Sequence, residues 1–123
     1  MTETIAVLDA NDAFYRAMRE GDLDAMEALW ARERPVSCTH PDGPAIFGRA
    51  AVMASWRLIL GHRPPDIRPA DPQAIITGRT AMVLCRERIG PVELMASNAW
   101  VREDGAWRMV NHQAAHIPVA GGS

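Results

Sequence analysis

The chain has 123 residues, 48% of them apolar, with 13 basic and 15 acidic side chains interspersed for a formal charge of -2. That length fits one domain with its own core, since domains commonly run to about 100–150 residues. No basic stripe of the kind that neutralises nucleic-acid phosphate is present, and no apolar run approaches the ~18 residues needed to span a membrane.

Taken in chain order, residues 3–20 read as a helix, because Val7, Asn11, Phe14 and Met18 recur at three- and four-residue steps, with Leu8 and Tyr15 widening the face. Gly21 ends it, and Asp22 is a good N-cap for a short second helix in which Met26, Leu29 and Trp30 share a face. Pro35 forbids its continuation. Val36–His40 alternates and reads as a short strand, followed by turn chemistry at Pro41-Asp-Gly-Pro44. A third helix fits residues 49–60, where Val52, Trp56, Ile59 and Leu60 follow helical spacing before Gly61. Pro64, Pro65, Pro69 and Pro72 make residues 62–72 a loop or a stiff edge segment. Residues 74–77, 80–89, 92–103 and 106–117 then read as strands, divided by Gly78, Gly90-Pro91 and Asp104-Gly105, the signals of an antiparallel meander. Helices first and strands afterwards is α+β logic. Residues 1–118 are expected to form a single domain and residues 119–123 a frayed tail.

Met1-Thr-Glu-Thr4 carries acid where a secretory leader carries base, so a cytoplasmic setting is expected. Cys38 and Cys85 are too few for a disulfide framework and read as buried thiols.

Several stretches together carry a resemblance. They are Phe14–Asp24 leading to Leu29-Trp30, Cys38-Thr-His-Pro41, Phe47-Gly-Arg-Ala-Ala-Val52 with Ser55-Trp56, and Ser97-Asn-Ala-Trp100 through Asp104-Gly-Ala-Trp-Arg108. On these the chain resembles the nuclear-transport-factor-two-like superfamily, in its SnoaL-like and ketosteroid-isomerase-like branches. The resemblance implies a cystatin-like cone: three helices from the N-terminal half packed on a curved antiparallel sheet, with a pocket inside. It implies a homodimer formed through the outer sheet face. It leaves function open, since the superfamily hosts isomerases, cyclases, dehydratases and binding modules.

Ketosteroid isomerases work with a carboxylate base and an oxyanion hole made from a tyrosine and a protonated aspartic acid. At the corresponding positions this sequence has Phe14 for the tyrosine, Cys38 or His40 for the base, and Ala99 for the second acid. Tyr15 is expected to point about 100° away around the helix. That steroid chemistry is therefore not supported, and the expected occupant is a small-molecule ligand bound with no cofactor. His40, with an ordinary pKa of about 6.5, suits proton transfer, and His112 is the alternative acid–base group. Phe14, Met18, Trp30, Cys38, Trp56, Ile59, Ala99 and His116 are the expected pocket residues. His112 and His116 share a strand face but stand about 13 Å apart, too far for one metal ion, so no metal is expected. Cys38 reads better as a small buried hydrophobe than as a thiolate paired with His40. Asn98 and Asn111 lie on adjacent strands, and a one-residue uncertainty in parity leaves their facing open. Arg49, at the start of a helix, expects a buried partner such as an aspartate. A protein–protein adaptor remains a separate functional reading.

Overall fold

The computed structural model describes residues 2–118, so the expected frayed tail at 119–123 lies outside the described residues. Helix α1 spans Thr2–Glu20 and buries Val7, Asn11, Phe14, Tyr15, Ala17 and Met18. Its end is a Schellman motif, with Gly21 N–H donating to Met18 O and Asp22 N–H to Ala17 O. Gly21 has φ +64, and a Cβ there would meet Pro64 Cγ at 2.9 Å, so the turn and the close approach both demand glycine. Asp22 then caps helix α2 (Leu23–Leu29) by accepting from Ala25 N–H at 3.0 Å.

Strands β1 (Ser37–Thr39) and β2 (Ala45–Phe47) form a hairpin around the Pro41–Pro44 turn, and helix α3 spans Arg49–Gly61. Strand β2 lies outside the strands expected from sequence, because three residues between Pro44 and Gly48 are too few to display a period. Four long strands follow: β3 (Ile67–Thr77), β4 (Thr80–Ile89), β5 (Val92–Glu103) and β6 (Ala106–His116). The Pro-rich segment is partly strand. Pro69 and Pro72 sit in β3, which is an edge of the sheet and changes register between Ala70 and Gln73, the setting in which a strand tolerates proline.

The sheet order is β2-β1-β6-β5-β4-β3. The meander β3 to β6 is antiparallel as expected, but β1 pairs with β6 in parallel, so the sheet is mixed rather than wholly antiparallel. A parallel pair needs a long crossover, and here the rest of the chain supplies it. Helix α1 packs across β3, β4 and β6, while α2 lies on β6 and α3 on β1 and β2. The helices thus share one face of the sheet, and the core lies between. Among the described residues no helix is long and apolar enough to cross a membrane.

Two charges, half-buried Arg49 and buried Glu103, organise the link from α2 to β1. Among the described residues Arg49 finds no aspartate. Its guanidinium instead donates to Glu27 O, Trp30 O and Ala31 O at 2.7–3.2 Å. A cation at the N-terminus of α3 is poorly placed for that helix, yet it meets the unpaired carbonyls at the C-terminal end of α2. Glu103 completes the loop by accepting from the N–H groups of Arg32 and Glu33, both at 2.9 Å. Those backbone bonds, that of Arg32 first, hold its carboxyl below the usual range.

Candidate functional site

The alternation of each strand decides what reaches the helices. On β4 the inward file is Ala81, Val83, Cys85 and Glu87, all buried. On β5 it is Leu94, Ala96, Asn98 and Trp100. On β6 the inward residues begin as Trp107 and Met109. A register change then leaves Val110 without a partner between the pairs Trp100–Met109 and Ala99–Asn111. That extra residue flips the parity, so His112 turns inward and Asn111 does not.

Inward-facing Asn11 and Tyr15 from α1, Glu87 and Cys85 from β4, Asn98 from β5 and His112 from β6 meet in one buried polar network. Asn98 Nδ2 donates to Asn11 Oδ1 at 2.9 Å and to Tyr15 Oη at 3.0 Å. Both amide hydrogens are then used, and Asn98 Oδ1 accepts from His112 Nδ1–H at 2.6 Å. This assignment, made from the network, leaves His112 Nε2 with the lone pair. Tyr15 Oη donates to Glu87 Oε2 at 2.6 Å and also touches Cys85 Sγ at 3.4 Å. His112 Nε2 and Glu87 Oε2 are 3.9 Å apart.

Burial sets the protonation of these groups. Desolvation raises the Glu87 carboxyl above its ordinary value, against the opposing hydrogen bond from Tyr15. Desolvation first, and the proximity of His40 second, push His112 down to about 3. The Tyr15 hydroxyl is raised, chiefly by burial. At neutral pH the His112 imidazole is uncharged.

A cavity of about 130 Å³ opens on this network. Its apolar wall includes Met18, Trp56, Ile59, Ile67 and Leu94, and its polar groups are Glu87, His112 and His40. His40 is half-buried; its Nε2 is 2.9 Å from Ser55 Oγ, which itself donates to Val52 O at 2.7 Å. Ser55 therefore accepts from His40 Nε2–H, and Nδ1 is left as the basic nitrogen. Desolvation lowers the His40 pKa. The ring of Trp56 meets His40 edge-on at 4.8 Å, and Phe14 stands 4.9 Å from His112 and 5.6 Å from Trp56.

Of the residues expected from sequence, Met18, His40, Trp56, Ile59 and His112 come together around the cavity. Phe14 backs it through its ring contacts, and Cys38 lies beside His40, with Sγ 3.7 Å from Nε2. Burial pushes the Cys38 thiol up to about 12, so it is no thiolate nucleophile. Trp30 is buried elsewhere, with its indole N–H donating to Met26 Sδ at 3.4 Å. Ala99 corrects the expectation: it faces away from the helices, beside Met82 and Val110 in a groove on the outer sheet face. His116 shares the inward parity of His112 but has run past the core, is half-exposed, and bonds Asp42 at 3.0 Å. Tyr15, expected to widen the buried face of α1, is fully buried beside Phe14, because that interior face is wide enough to take both rings.

Glu87 and Tyr15 are the functional candidates that sequence reasoning missed, while Asn98 was named there with its facing left open, and the structure turns it inward. One signal for Glu87 lay in the file Val83, Cys85, Glu87, which places a carboxylate in an otherwise uncharged row. The neighbouring file Met82 and Leu84 is apolar as well, so alternation alone did not decide between the faces.

A family model described as a SnoaL-like domain matches residues 7–120. A crystal structure of a proposed dehydratase of the NTF2-like family from Streptomyces avermitilis is 31% identical, with a TM-score of 0.91 over 96% of this chain and 98% of that one. A proposed calcium/calmodulin-dependent protein kinase type II association domain from Thiobacillus denitrificans is 32% identical, with a TM-score of 0.75 over 89% and 93% of the two chains. The F-box protein SKIP8 of Arabidopsis thaliana is 26% identical over 117 residues, 91% of this chain, and the chain spans about half (50%) of that relative's length.

Proposed function

The chain belongs to the SnoaL-like domain family within the NTF2-like superfamily, and from that premise we propose that it binds a compact, mostly apolar small molecule in the inner cavity and is equipped to move a proton on it. The observation that carries this reading is the meeting of Glu87, His112 and His40 around one small apolar space. Desolvation raises the Glu87 pKa and so favours its protonated, proton-donating form. His112, pushed down to about 3, is a weak base and serves as a fixed hydrogen-bond acceptor. His40 at the rim is the better proton acceptor, with Ser55 holding its tautomer. A donor and an acceptor lining one apolar space suit isomerisation or elimination of water. The Streptomyces protein's description as a dehydratase agrees with that class.

Benzene tests the cavity itself, since a dry apolar space of about 150 Å³ is known to hold it. Benzene titration should shift the indole resonance of Trp56, and Leu94→Trp should abolish the shift. No response in the wild-type protein would remove the binding reading. On any compound that is bound and converted, Glu87→Leu and His40→Ala should each lower kcat by about 100-fold or more. Unchanged turnover would leave a binding domain without acid–base chemistry.

A second reading concerns assembly. The outer sheet face exposes Ile75, Met82 and Met95 at 58%, 38% and 43%, beside a groove of about 530 Å³. Covering such a face against a second copy would remove it from water, and the similar association domain is of a kind that assembles by name. Light scattering should give the mass of two chains, and Met82→Glu should give that of one. A wild-type monomer at the highest soluble concentration would eliminate this second reading.

A further inference from the structure

We propose that the molecule occupying the inner cavity is uncharged and presents a hydroxyl group to Glu87 and His112 together. This rests on the reading of the cavity as a small-molecule site, and it narrows the ligand by hydrogen-bond complementarity.

The network leaves two of its own side-chain atoms free, on residues that line the cavity. His112 Nδ1–H is committed to Asn98 Oδ1, so Nε2 is an acceptor. Glu87 Oε2 is committed to the Tyr15 hydroxyl, so a proton held by this carboxyl sits on Oε1 and makes that atom the donor. The 3.9 Å between Nε2 and Oε2 is beyond hydrogen-bond range. Among the described residues neither His112 Nε2 nor Glu87 Oε1 makes a hydrogen bond, so this corner of the cavity pairs one acceptor with one donor. The indole N–H of Trp56 in the cavity wall is a further buried donor without a partner, which a second lone pair on the ligand could meet.

A hydroxyl is the simplest group that both accepts and donates through one atom. It takes the Glu87 proton with a lone pair and gives its own hydrogen to Nε2. A ketone answers Glu87 but leaves the imidazole nitrogen dry and unpaired. A hydrocarbon answers neither. A carboxylate would enter a site that no lysine or arginine lines among the described residues. Burial of the neutral forms of Glu87 and His112 acts in the same sense, because it opposes an ionic ligand.

The test uses three probes of six heavy atoms each, namely cyclopentanol, cyclopentanone and butyrate, titrated against the full chain with the Trp56 indole and His112 ring resonances as reporters. Cyclopentanol should bind about 10-fold or more tighter than cyclopentanone, the span expected when a buried polar group is left unpaired, and butyrate should give no saturable shift. Glu87→Gln, whose amide N–H takes the place of the acid proton, should keep the cyclopentanol preference to within about 3-fold, while Glu87→Leu should lose it. Benzene entry with equal or tighter binding of the ketone would overturn the hydroxyl assignment and leave the cavity reading standing. Loss of the preference in Glu87→Gln would likewise overturn it, since the carboxyl would then act as an anion. If neither benzene nor any of the three probes reaches Trp56, the cavity reading falls, and the hydroxyl assignment with it.

Discussion

Stability, measured by urea unfolding across pH, is expected to fall as pH drops below about 6.5, and to lose a separate Glu87 contribution as pH rises above 4.5 through that group's raised value. The acid limb comes first from His112. The unfolded chain takes up that proton near 6.5, whereas the folded chain holds the imidazole neutral down to about 3. Stability present above 6.5 is therefore lost as pH falls toward 3, by about 5 kcal/mol in all. His40, also lowered by burial, adds to the same limb. Glu103, held low by its backbone bonds, contributes stability that is present above the ordinary carboxylate value and is lost as pH falls through its own. Glu87 acts in the opposite sense. The unfolded chain releases its proton near 4.5, and the folded chain keeps it to higher pH, so stability is lost as pH rises from 4.5 through the raised value. Glu87→Gln should lose that contribution alone, so its stability relative to wild type should rise with pH above 4.5 and be the greater of the two at pH 8. A variant no more stable there would mean that Glu87 is ionised without penalty, and the neutral acid invoked for the cavity would be lost.

Asn98→Leu should cost about 3–5 kcal/mol, because three hydrogen bonds vanish and Asn11 Oδ1 and His112 Nδ1–H are left buried without partners. Its neighbour in the sheet sharpens the expectation. Asn111 lies on the opposite face of the sheet and bonds Ser37 Oγ at 2.7 Å in a half-buried position. Asn111→Leu should cost no more than about 1.5 kcal/mol. The second readout is the His112 ring. In the wild-type protein its nitrogen resonances should report a single Nδ1–H tautomer, and in Asn98→Leu a mixture. Equal costs for the two substitutions, or an unchanged tautomer, would show that Asn98 does not hold the imidazole.

These two results bear on different kinds of legibility. The helices were readable because their signals are local. The spacing of Val7, Asn11, Phe14 and Met18 marks the buried face of α1, and Asp22 caps α2 with its own side chain. The turn at Asp104-Gly105 was equally plain, since both residues take positive φ, 53° and 76°, as a tight two-residue hairpin requires. Such features depend on a handful of adjacent residues and survive in any tertiary context. Met18, Trp56 and Ile59 followed from the same helical periodicity, and that is why half of the cavity could be named in advance.

The polar half was legible only in part: His40 and His112 were named, but Glu87 and the facing of Asn98 were not. Strand facing has a period of two, so one unpaired residue, Val110, reverses every assignment beyond it, and no local signal announces that residue. Glu87 had to be aligned with Tyr15 and His112 from elements 72 and 25 residues away before its burial meant anything. The parallel pairing of β1 with β6, which fixes where His40 sits, likewise joins segments more than 70 residues apart. Amino-acid order alone therefore determined the elements, their caps and the apolar lining. Tertiary packing alone decided which carboxyl, amide and imidazole share a dry space, because hydrogen-bond partners and protonation depend on the neighbours that long-range pairing brings together.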